Sequence, residues 1–143
     1  MKSEALATRW GAGALLPEWR ERSTEAAYPL LLISPASDKR ISSTLGSIGG
    51  SCKAPPLMMH PEDAAARGLT SGEVKVWNEI GEVILPLKVT DKVPPGVVAS
   101  EKGAWLSTSR TGQTISALVS TDVRADIALG TCFNDTRVEV VGA

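Results

Sequence analysis

The most informative stretch of this chain reads Tyr28-Pro-Leu-Leu-Leu-Ile-Ser-Pro-Ala-Ser-Asp-Lys-Arg-Ile-Ser-Ser-Thr44. Its apolar run from Leu30 to Ile33 predicts a short strand that is buried on both faces. The strand leads directly into a loop of hydroxyl and cationic side chains, and such a loop can offer N–H, O–H and charged donors to a phosphate. Many surface loops are also rich in serine, so the same spacing fits an inert polar loop, and both interpretations stay open here.

Length and composition indicate one globular domain. The chain has 143 residues, of which 43% are hydrophobic and 22% are charged, and this is enough for one hydrophobic core. The formal net charge of -1 argues against a dedicated nucleic-acid-binding protein but is compatible with a local basic patch. No apolar run reaches the roughly 18 residues of a membrane span, and no secretory signal is visible. We expect no nucleic-acid partner and no membrane insertion. The compartment stays open, since the sequence fits both the cytoplasm and the periplasm.

The residues that usually carry metal or catalytic chemistry are sparse. Cys52 and Cys132 lie far apart, and we expect free thiols because a chain of this size needs no disulfide. The single histidine, His60, precedes Pro61 and is expected to cap a helix. No nucleophile–base pair, paired carboxylates or zinc-ligand spacing stands out. We therefore expect neither catalytic nor metal-ligating residues in this chain.

After Pro29 the pattern predicts a mainly β domain with short helices. A helix is expected at 60–68, with Pro61 at its first position and Gly68 as its left-handed stop. Gly81 is expected to provide a positive φ in a hairpin turn. The predicted strands cover 30–33, 57–59, 74–77, 83–89, 97–99 and 137–141. Residues 103–136 have no regular pattern, and a loop of that length in a compact domain is usually functional.

The amino-terminal part differs from the rest. Residues 1–27 contain glycine, proline and alternating charges, as in a connecting segment, with short helical turns near Ala5–Ala7 and Leu15-Leu16. Trp10 and Trp19 are unusual in a free tail, since tryptophan normally packs against something. We expect residues 1–27 to be a connector from an upstream domain and residues 28–143 to form the domain itself.

Taken in order, these segments resemble the C-terminal molybdopterin-dinucleotide-binding domain of the molybdenum and tungsten oxidoreductases related to dimethyl sulfoxide reductase and formate dehydrogenase. The resemblance covers about residues 28–141. Besides the first strand and Ser43-Thr44, the matching segments are His60-Pro-Glu-Asp-Ala-Ala-Ala-Arg-Gly-Leu-Thr-Ser-Gly72, Val76-Trp-Asn-Glu-Ile-Gly-Glu-Val83, Val89-Thr-Asp-Lys-Val-Pro-Pro-Gly-Val-Val98, Lys102-Gly-Ala-Trp105 and Phe133-Asn-Asp-Thr-Arg-Val-Glu-Val140.

The resemblance implies a double-psi β-barrel of the aspartate-decarboxylase type. It also implies that the domain holds the guanine dinucleotide and pyrophosphate of molybdopterin guanine dinucleotide. Molybdenum or tungsten would be bound through the cofactor in the full enzyme, and upstream domains of the same polypeptide would be partners. By itself the domain would be inactive. The residues implied to bind the cofactor are Ser34, Ser37, Lys39, Arg40, Ser43 and Thr44 in the first loop, Trp105 and Ser116 in a second contact region, and Asn134 near the pterin.

Two other functions are compatible with the sequence. The first is a free-standing double-psi barrel that acts as a protein-interaction module. The second is a barrel that cleaves itself before Ser47 or Ser51 to form a pyruvoyl group, for which the Gly-Ser pairs are the only signal.

Overall fold

The structure is a closed barrel of six strands with short helices around it. The computed structural model describes residues 4–11, 27–44, 46, 53–123 and 130–143. The strands are β1 (Leu30–Ile33), β2 (Leu57–Met59), β3 (Glu73–Trp77), β4 (Glu82–Val89), β5 (Val97–Ala99) and β6 (Thr136–Gly142). The helices are α1 (Glu4–Trp10) and α2 (Pro61–Ala66), with single-turn 3₁₀ helices at Leu106–Thr108, Ile115–Leu118 and Phe133–Asp135. The prediction of a mainly β barrel with short helices is confirmed.

Around the barrel the strands follow the order β1-β5-β2-β4-β3-β6. The pairs β1–β5 and β2–β4 are parallel, and the other neighbours are antiparallel. In the first parallel pair, Ile33 lies beside Ala99, so the chain leaves β1 and β5 at the same end of the barrel. The double-psi winding stays a prediction, because the connection from β1 to β2 includes residues 45 and 47–52, which lie outside the described part of the chain.

The core fills the inside of the barrel. Alternate residues of each strand point inward, as the period of a strand requires. The strand residues of this core cluster are Leu30, Leu32, Leu57, Met59, Val74, Val76, Val83, Leu85, Val98, Val138 and Val140. The expectation that β1 is buried on both faces is wrong, since Leu31 and Ile33 are only half-buried. They lie on the outer face of the barrel, so an apolar run there does not imply two packed layers.

Helix α2 is capped as the sequence predicts. The His60 ring accepts a hydrogen bond at Nδ1 from the Glu62 N–H at 3.2 Å, so the capping interpretation is confirmed. Gly68 has φ +65°, in the left-handed region that stops a helix. Asp63 has a further role, since its Oδ2 accepts from the Gly96 N–H at 2.7 Å. This bond ties the helix to the turn before β5.

Asn78 joins three parts of the chain from a buried position. Its Nδ2 donates to the carbonyl oxygens of Leu118, at 2.8 Å, and Arg137, at 3.1 Å. Its Oδ1 accepts from the N–H groups of Ile80 and Gly81, at 3.0 and 3.2 Å. All the hydrogen-bonding capacity expected of the amide is therefore in use, and the β3–β4 turn is held against the 3₁₀ helix and the start of β6.

The role predicted for Gly81 needs correction. Its φ is not positive. A Cβ on Gly81 would lie 2.8 Å from the carbonyl oxygen of Ala117. Glycine is required here because another backbone segment passes close by, and a hairpin signal in the local sequence could not show that segment.

We expect Asn78→Ala to lower the free energy of unfolding by about 3 kcal/mol, since it leaves several buried backbone groups unsatisfied at about 1–3 kcal/mol each. Urea denaturation followed by circular dichroism measures this. The matched control is Glu79→Ala at the exposed neighbouring position, which should change stability by less than about 0.5 kcal/mol. Equal effects of the two variants would contradict the role given to Asn78.

Arg67, just after α2, forms an ion pair with Glu139 on β6. Arg67 Nε donates to Oε1 at 2.6 Å and Nη2 donates to Oε2 at 3.2 Å, and both side chains are mostly buried. Burial alone would raise the pKa of Glu139. Hydrogen bonds from Arg67 and from the Val140 N–H, with the charge of Arg67, outweigh burial and lower the pKa below its ordinary value.

The lowered pKa of Glu139 predicts a pH dependence of stability. Because the folded-state pKa lies below the ordinary value of 4.5, the carboxylate stabilises the fold above that pH, and this contribution is lost as the pH falls through the folded-state pKa. We expect Glu139→Gln to remove part of the acid-dependent fall in the thermal midpoint between neutral pH and about pH 3. Glu82→Gln, at an exposed carboxylate paired with Lys75, is the control and should leave the profile almost unchanged.

The remaining expectations concern the amino terminus and the thiols. Helix α1 covers the turn predicted near Ala5–Ala7, whereas Leu15-Leu16, Trp19 and Cys52 lie outside the described residues. The boundary at residue 27 stays a prediction. Cys132 is a free, half-buried thiol, as expected. None of the helices that the structure describes is long and apolar enough to cross a membrane.

Candidate functional site

Two buried serines lie side by side where β1 and β5 end. Ser34 follows Ile33, and Ser100 follows Ala99, in the same parallel register. The Ser100 N–H donates to the Ile33 carbonyl at 3.2 Å. Ser34 is 5% exposed and Ser100 is fully buried, and neither Oγ has a hydrogen-bond partner among the residues that the structure describes. Buried hydroxyls are normally hydrogen-bonded, and of the two only Ser34 also lines a pocket, where its hydroxyl can bind a ligand.

A pocket of about 260 Å³ opens beside Ser34. We call it the mouth pocket, and it is lined by Ser34, Lys102, Ile115, Ser116, Val119, Thr121 and Phe133. Ile115 and Leu118 are buried in the core, so their 3₁₀ helix fixes the exposed Ser116 at the rim.

Asn134 borders the mouth pocket through its bond to Ser34. Its Oδ1 accepts from the Ser34 N–H at 3.0 Å, across 100 positions of sequence. The fold thus brings together Ser34, Ser116 and Asn134, which lie in three separate regions of the sequence.

Among the lining residues of the mouth pocket that were not predicted, Lys102 and Phe133 contact each other. The Lys102 ammonium lies 5.2 Å from the centre of the Phe133 ring, at cation–π distance. Both residues open motifs that were recognised, Lys102-Gly-Ala-Trp105 and Phe133-Asn-Asp. The signal was present in those motifs, but only the neighbouring Trp105 and Asn134 were selected from them.

A second pocket, of about 410 Å³, collects positive charge. We call it the cationic pocket. Among the described residues its charged lining consists of Lys39, Arg40, Lys53 and Lys88, against the carboxylate of Glu101, and Ser37 also lines it. The predicted residues Ser37, Lys39 and Arg40 are therefore together. Lys53 belongs to the same loop but was not selected, and Lys88 comes from β4, which no local pattern connects with the loop.

Arg40 and Lys39 differ in how they meet this pocket. The Arg40 side chain is 3% exposed, and its Nη2 lies 3.4 Å from Glu101 Oε2. Lys39 is exposed, and its N–H donates to Ser37 Oγ at 3.2 Å in a local turn. Arg40 therefore forms the floor of the pocket, while the Lys39 ammonium can reach a ligand.

The two pockets are neighbours on the surface, and we call them together the groove. A cleft between them shares Ile115 with the mouth pocket and shares Ala54, Pro55 and Glu101 with the cationic pocket. The groove has a largely apolar end with polar hydrogen-bonding groups and a positively charged end. A ligand with a flat ring system and a phosphate would match both ends.

Ser43, Thr44 and Trp105 form a third group. All three are exposed. Trp105 Nε1 donates to the Ser43 carbonyl at 2.6 Å, and the Thr44 N–H donates to the Ile41 carbonyl at 3.0 Å. The fold joins Trp105 to the first loop, whereas the resemblance implied a second contact region with Ser116, and the indole N–H bonds to protein rather than being directed at the groove.

The part of the chain that the structure describes contains no group of three or more His, Cys, Asp or Glu residues that could hold a metal ion. The donors that line the groove are hydroxyls, an amide and cations, which suit an anionic organic ligand.

Comparison with known proteins identifies the family. A family model described as "Molydopterin dinucleotide binding domain" matches residues 30–137. The first word of this description stands for molybdopterin. A trimethylamine-N-oxide reductase of Haemophilus influenzae is 36% identical over 100 residues, which cover 62% of this chain and 12% of the relative. A putative catalytic chain of dimethyl sulfoxide reductase from Halobacterium salinarum is 34% identical over 120 residues, covering 81% of this chain and 14% of the relative.

Among solved structures, acetylene hydratase from Pelobacter acetylenicus superposes with a TM-score of 0.68 over 81% of this chain and 18% of that chain, at 21% identity. This likeness supports the fold. Together with the family match over most of the chain, these comparisons show that the chain belongs to the molybdopterin dinucleotide binding domains of the dimethyl sulfoxide reductase family. The chain spans only about an eighth of the length of the two curated relatives described above.

The burial of Arg40 predicts unequal effects of removing the two adjacent cations. We expect Arg40→Ala to lower the free energy of unfolding by about 1–3 kcal/mol, since it removes the buried side chain that is bonded to Glu101. Lys39→Ala should change it by less than about 0.5 kcal/mol, as is usual at the surface. Chemical denaturation of both variants measures the difference, and a greater loss from Lys39→Ala would contradict the assignment of Arg40 as the floor.

Proposed function

We propose that the groove holds the guanine dinucleotide form of molybdopterin, with the pyrophosphate in the cationic pocket and the pterin end toward the mouth pocket. The observation that carries this proposal is that two pockets lie next to each other, one positively charged and one lined by Ser34, whose buried hydroxyl has no partner in the described part of the chain. Membership of a dinucleotide-binding family supports it.

The cationic pocket supplies the charge that a pyrophosphate needs. Lys39, Lys53 and Lys88 approach the same volume from the first loop and from β4. Ammonium groups form short, charge-assisted hydrogen bonds with phosphate oxygens. In the proposed complex these three lysines contact the pyrophosphate, while Arg40, bonded to Glu101, adds positive potential from below and holds the loop.

The mouth pocket supplies directional hydrogen bonds. Ser34 and Ser116 line it, and Asn134 is fixed beside it through the Ser34 N–H. A pterin presents amide and amine groups at its edge, and the Ser34 hydroxyl can donate to or accept from such groups. Binding would thus provide a partner for a hydroxyl that the described part of the protein leaves without one.

The other predicted cofactor residues, Ser37, Ser43, Thr44 and Trp105, keep their proposed place along the groove. Ser37 lines the cationic pocket. Ser43 and Thr44 extend the same loop and are exposed, and Trp105 can offer only the exposed face of its ring, because its N–H bonds to Ser43.

We also propose that the domain works as part of a larger oxidoreductase polypeptide, since the matched relatives are many times longer. When bound there, the cofactor supplies a redox-active metal, molybdenum or tungsten. This chain binds and orients the dinucleotide, and the upstream domains would complete the site. We expect the isolated domain to show no turnover, and the match to a cofactor-binding family favours this function over that of a free-standing interaction module.

We expect GDP to bind the isolated chain weakly and to perturb backbone amides of residues 37–40, 53, 54 and 88 in NMR titration, with guanosine binding much less. Lys53→Ala combined with Lys88→Ala should weaken GDP binding at least about tenfold, since each charge-assisted bond contributes about 1.5–3 kcal/mol. Lys75→Ala, on β3 and paired with Glu82, is the control and should bind as wild type does. Equal affinity for GDP and guanosine, or an unchanged double variant, would refute the proposed phosphate site.

A further inference from the structure

The residues that follow β5 bond to several points of the loop that follows β1. We call residues 101–105 the splint. The Lys102 N–H donates to the Pro35 carbonyl at 3.0 Å, and Glu101 meets Arg40 at 3.4 Å. Trp105 Nε1 then donates to the Ser43 carbonyl. Since the parallel β1–β5 pair starts both segments at the same place, the splint runs along the loop instead of crossing it.

The contact between the Trp105 ring and the loop at Gly46 is unusually close. A Cβ on Gly46 would lie 2.5 Å from Trp105 Nε1 and 2.6 Å from Trp105 Cδ1. Only a residue without a side chain allows the loop to lie this near the indole. We call the bond to Ser43 and the packing on Gly46 the indole clamp.

A second glycine, which lies in the splint, permits the loop backbone to approach the splint backbone. Gly103 has φ +88°, and a Cβ there would overlap the carbonyl oxygen of Ser42. Ser42 itself has φ +55°, a conformation that residues with side chains rarely adopt. The loop backbone is thus held in an uncommon conformation directly against the splint, and such a conformation persists only where the surroundings enforce it.

The hydrogen bonds that the structure describes within the loop are short-range. The Lys39 N–H bonds to Ser37 Oγ, and the Thr44 N–H bonds to the Ile41 carbonyl. Turns of this kind shape a few residues but do not fix where a loop lies on a barrel. The described residues of this part of the loop, from Arg40 to Thr44 and Gly46, are tied to the rest of the domain by Arg40 at one end and by the indole clamp at the other.

We infer that Trp105 is a positioning residue for dinucleotide binding, acting through its Nε1–H on the Ser43 carbonyl rather than by donating to the ligand. The inference rests on the proposed function, in which this loop contacts the dinucleotide. With the clamp, the loop is already placed before the ligand arrives, so binding does not have to order it. Without the N–H, the loop beyond Arg40 loses its fixed position and the affinity falls, while the barrel core is untouched.

Trp105→Phe separates this role from ring stacking, because phenylalanine keeps an aromatic face but has no N–H. If the residue acted by stacking on the ligand, the variant would retain affinity. If it acts through the clamp, the dissociation constant for GDP should rise about threefold to tenfold, the range expected for one hydrogen bond, while the thermal midpoint changes little. The matched control is Trp77→Phe on β3, whose ring packs edge-on against Tyr28 at 5.3 Å. That variant should lower the thermal midpoint and leave GDP affinity unchanged.

The clamp can also be observed without ligand. In the free protein the indole N–H of Trp105 should exchange slowly with solvent although 40% of the residue is exposed, and Trp105→Phe should shift the amide signals of residues 42–46. Exchange at the rate of a free indole, or a Trp105→Phe variant with wild-type GDP affinity, would overturn the inference alone. Absence of GDP binding by the wild-type chain would instead remove the proposed function and, with it, the ligand side of this inference.

Discussion

The parallel pairing of β1 with β5 is the constraint on which the site depends. It aligns Ile33 with Ala99, and so it places Ser34 beside Ser100 and starts two long connections from one point. A parallel pair needs crossover connections rather than a tight turn, and here those connections carry the functional groups. The strands contribute little chemistry themselves, but their register decides which loop residues can meet.

The chain is nearly neutral overall but has a positively charged site, because the fold brings several cations together in one pocket. The chain as a whole has a net charge of -1, yet among the described residues four cations face one carboxylate in the cationic pocket. Elsewhere, carboxylates bond to cations in pairs such as Arg67–Glu139 and Lys75–Glu82. Electrostatic attraction for a small anion depends on this local excess and not on the total, since distant exposed charges are screened by salt.

Local sequence predicted what depends on local rules. The strand bounds at 30–33 and 57–59, the His60 cap and the Gly68 stop follow from hydrophobic pattern and helix-end chemistry, and the structure reproduces them. The ordered motifs also placed Ser34, Asn134 and the Ser37–Arg40 loop in regions that the fold does bring together. Lys88, the Arg40–Glu101 pair and the close approach at Gly81 were not predictable in this way, because each arises from contact between segments far apart in sequence. The half-exposed outer face of β1 was mistaken for a buried one, since an apolar run alone does not reveal how many layers pack against it.

The cationic pocket has a consequence for the fold itself. Its cations come from the first loop and from β4, so an anion that fills it is a cross-link between two separate parts of the chain. A ligand that binds only the folded form stabilises that form in proportion to the logarithm of its concentration. Dinucleotide binding would then protect this domain from unfolding. Chains without the dinucleotide would unfold more readily and would be cleaved more easily by proteases.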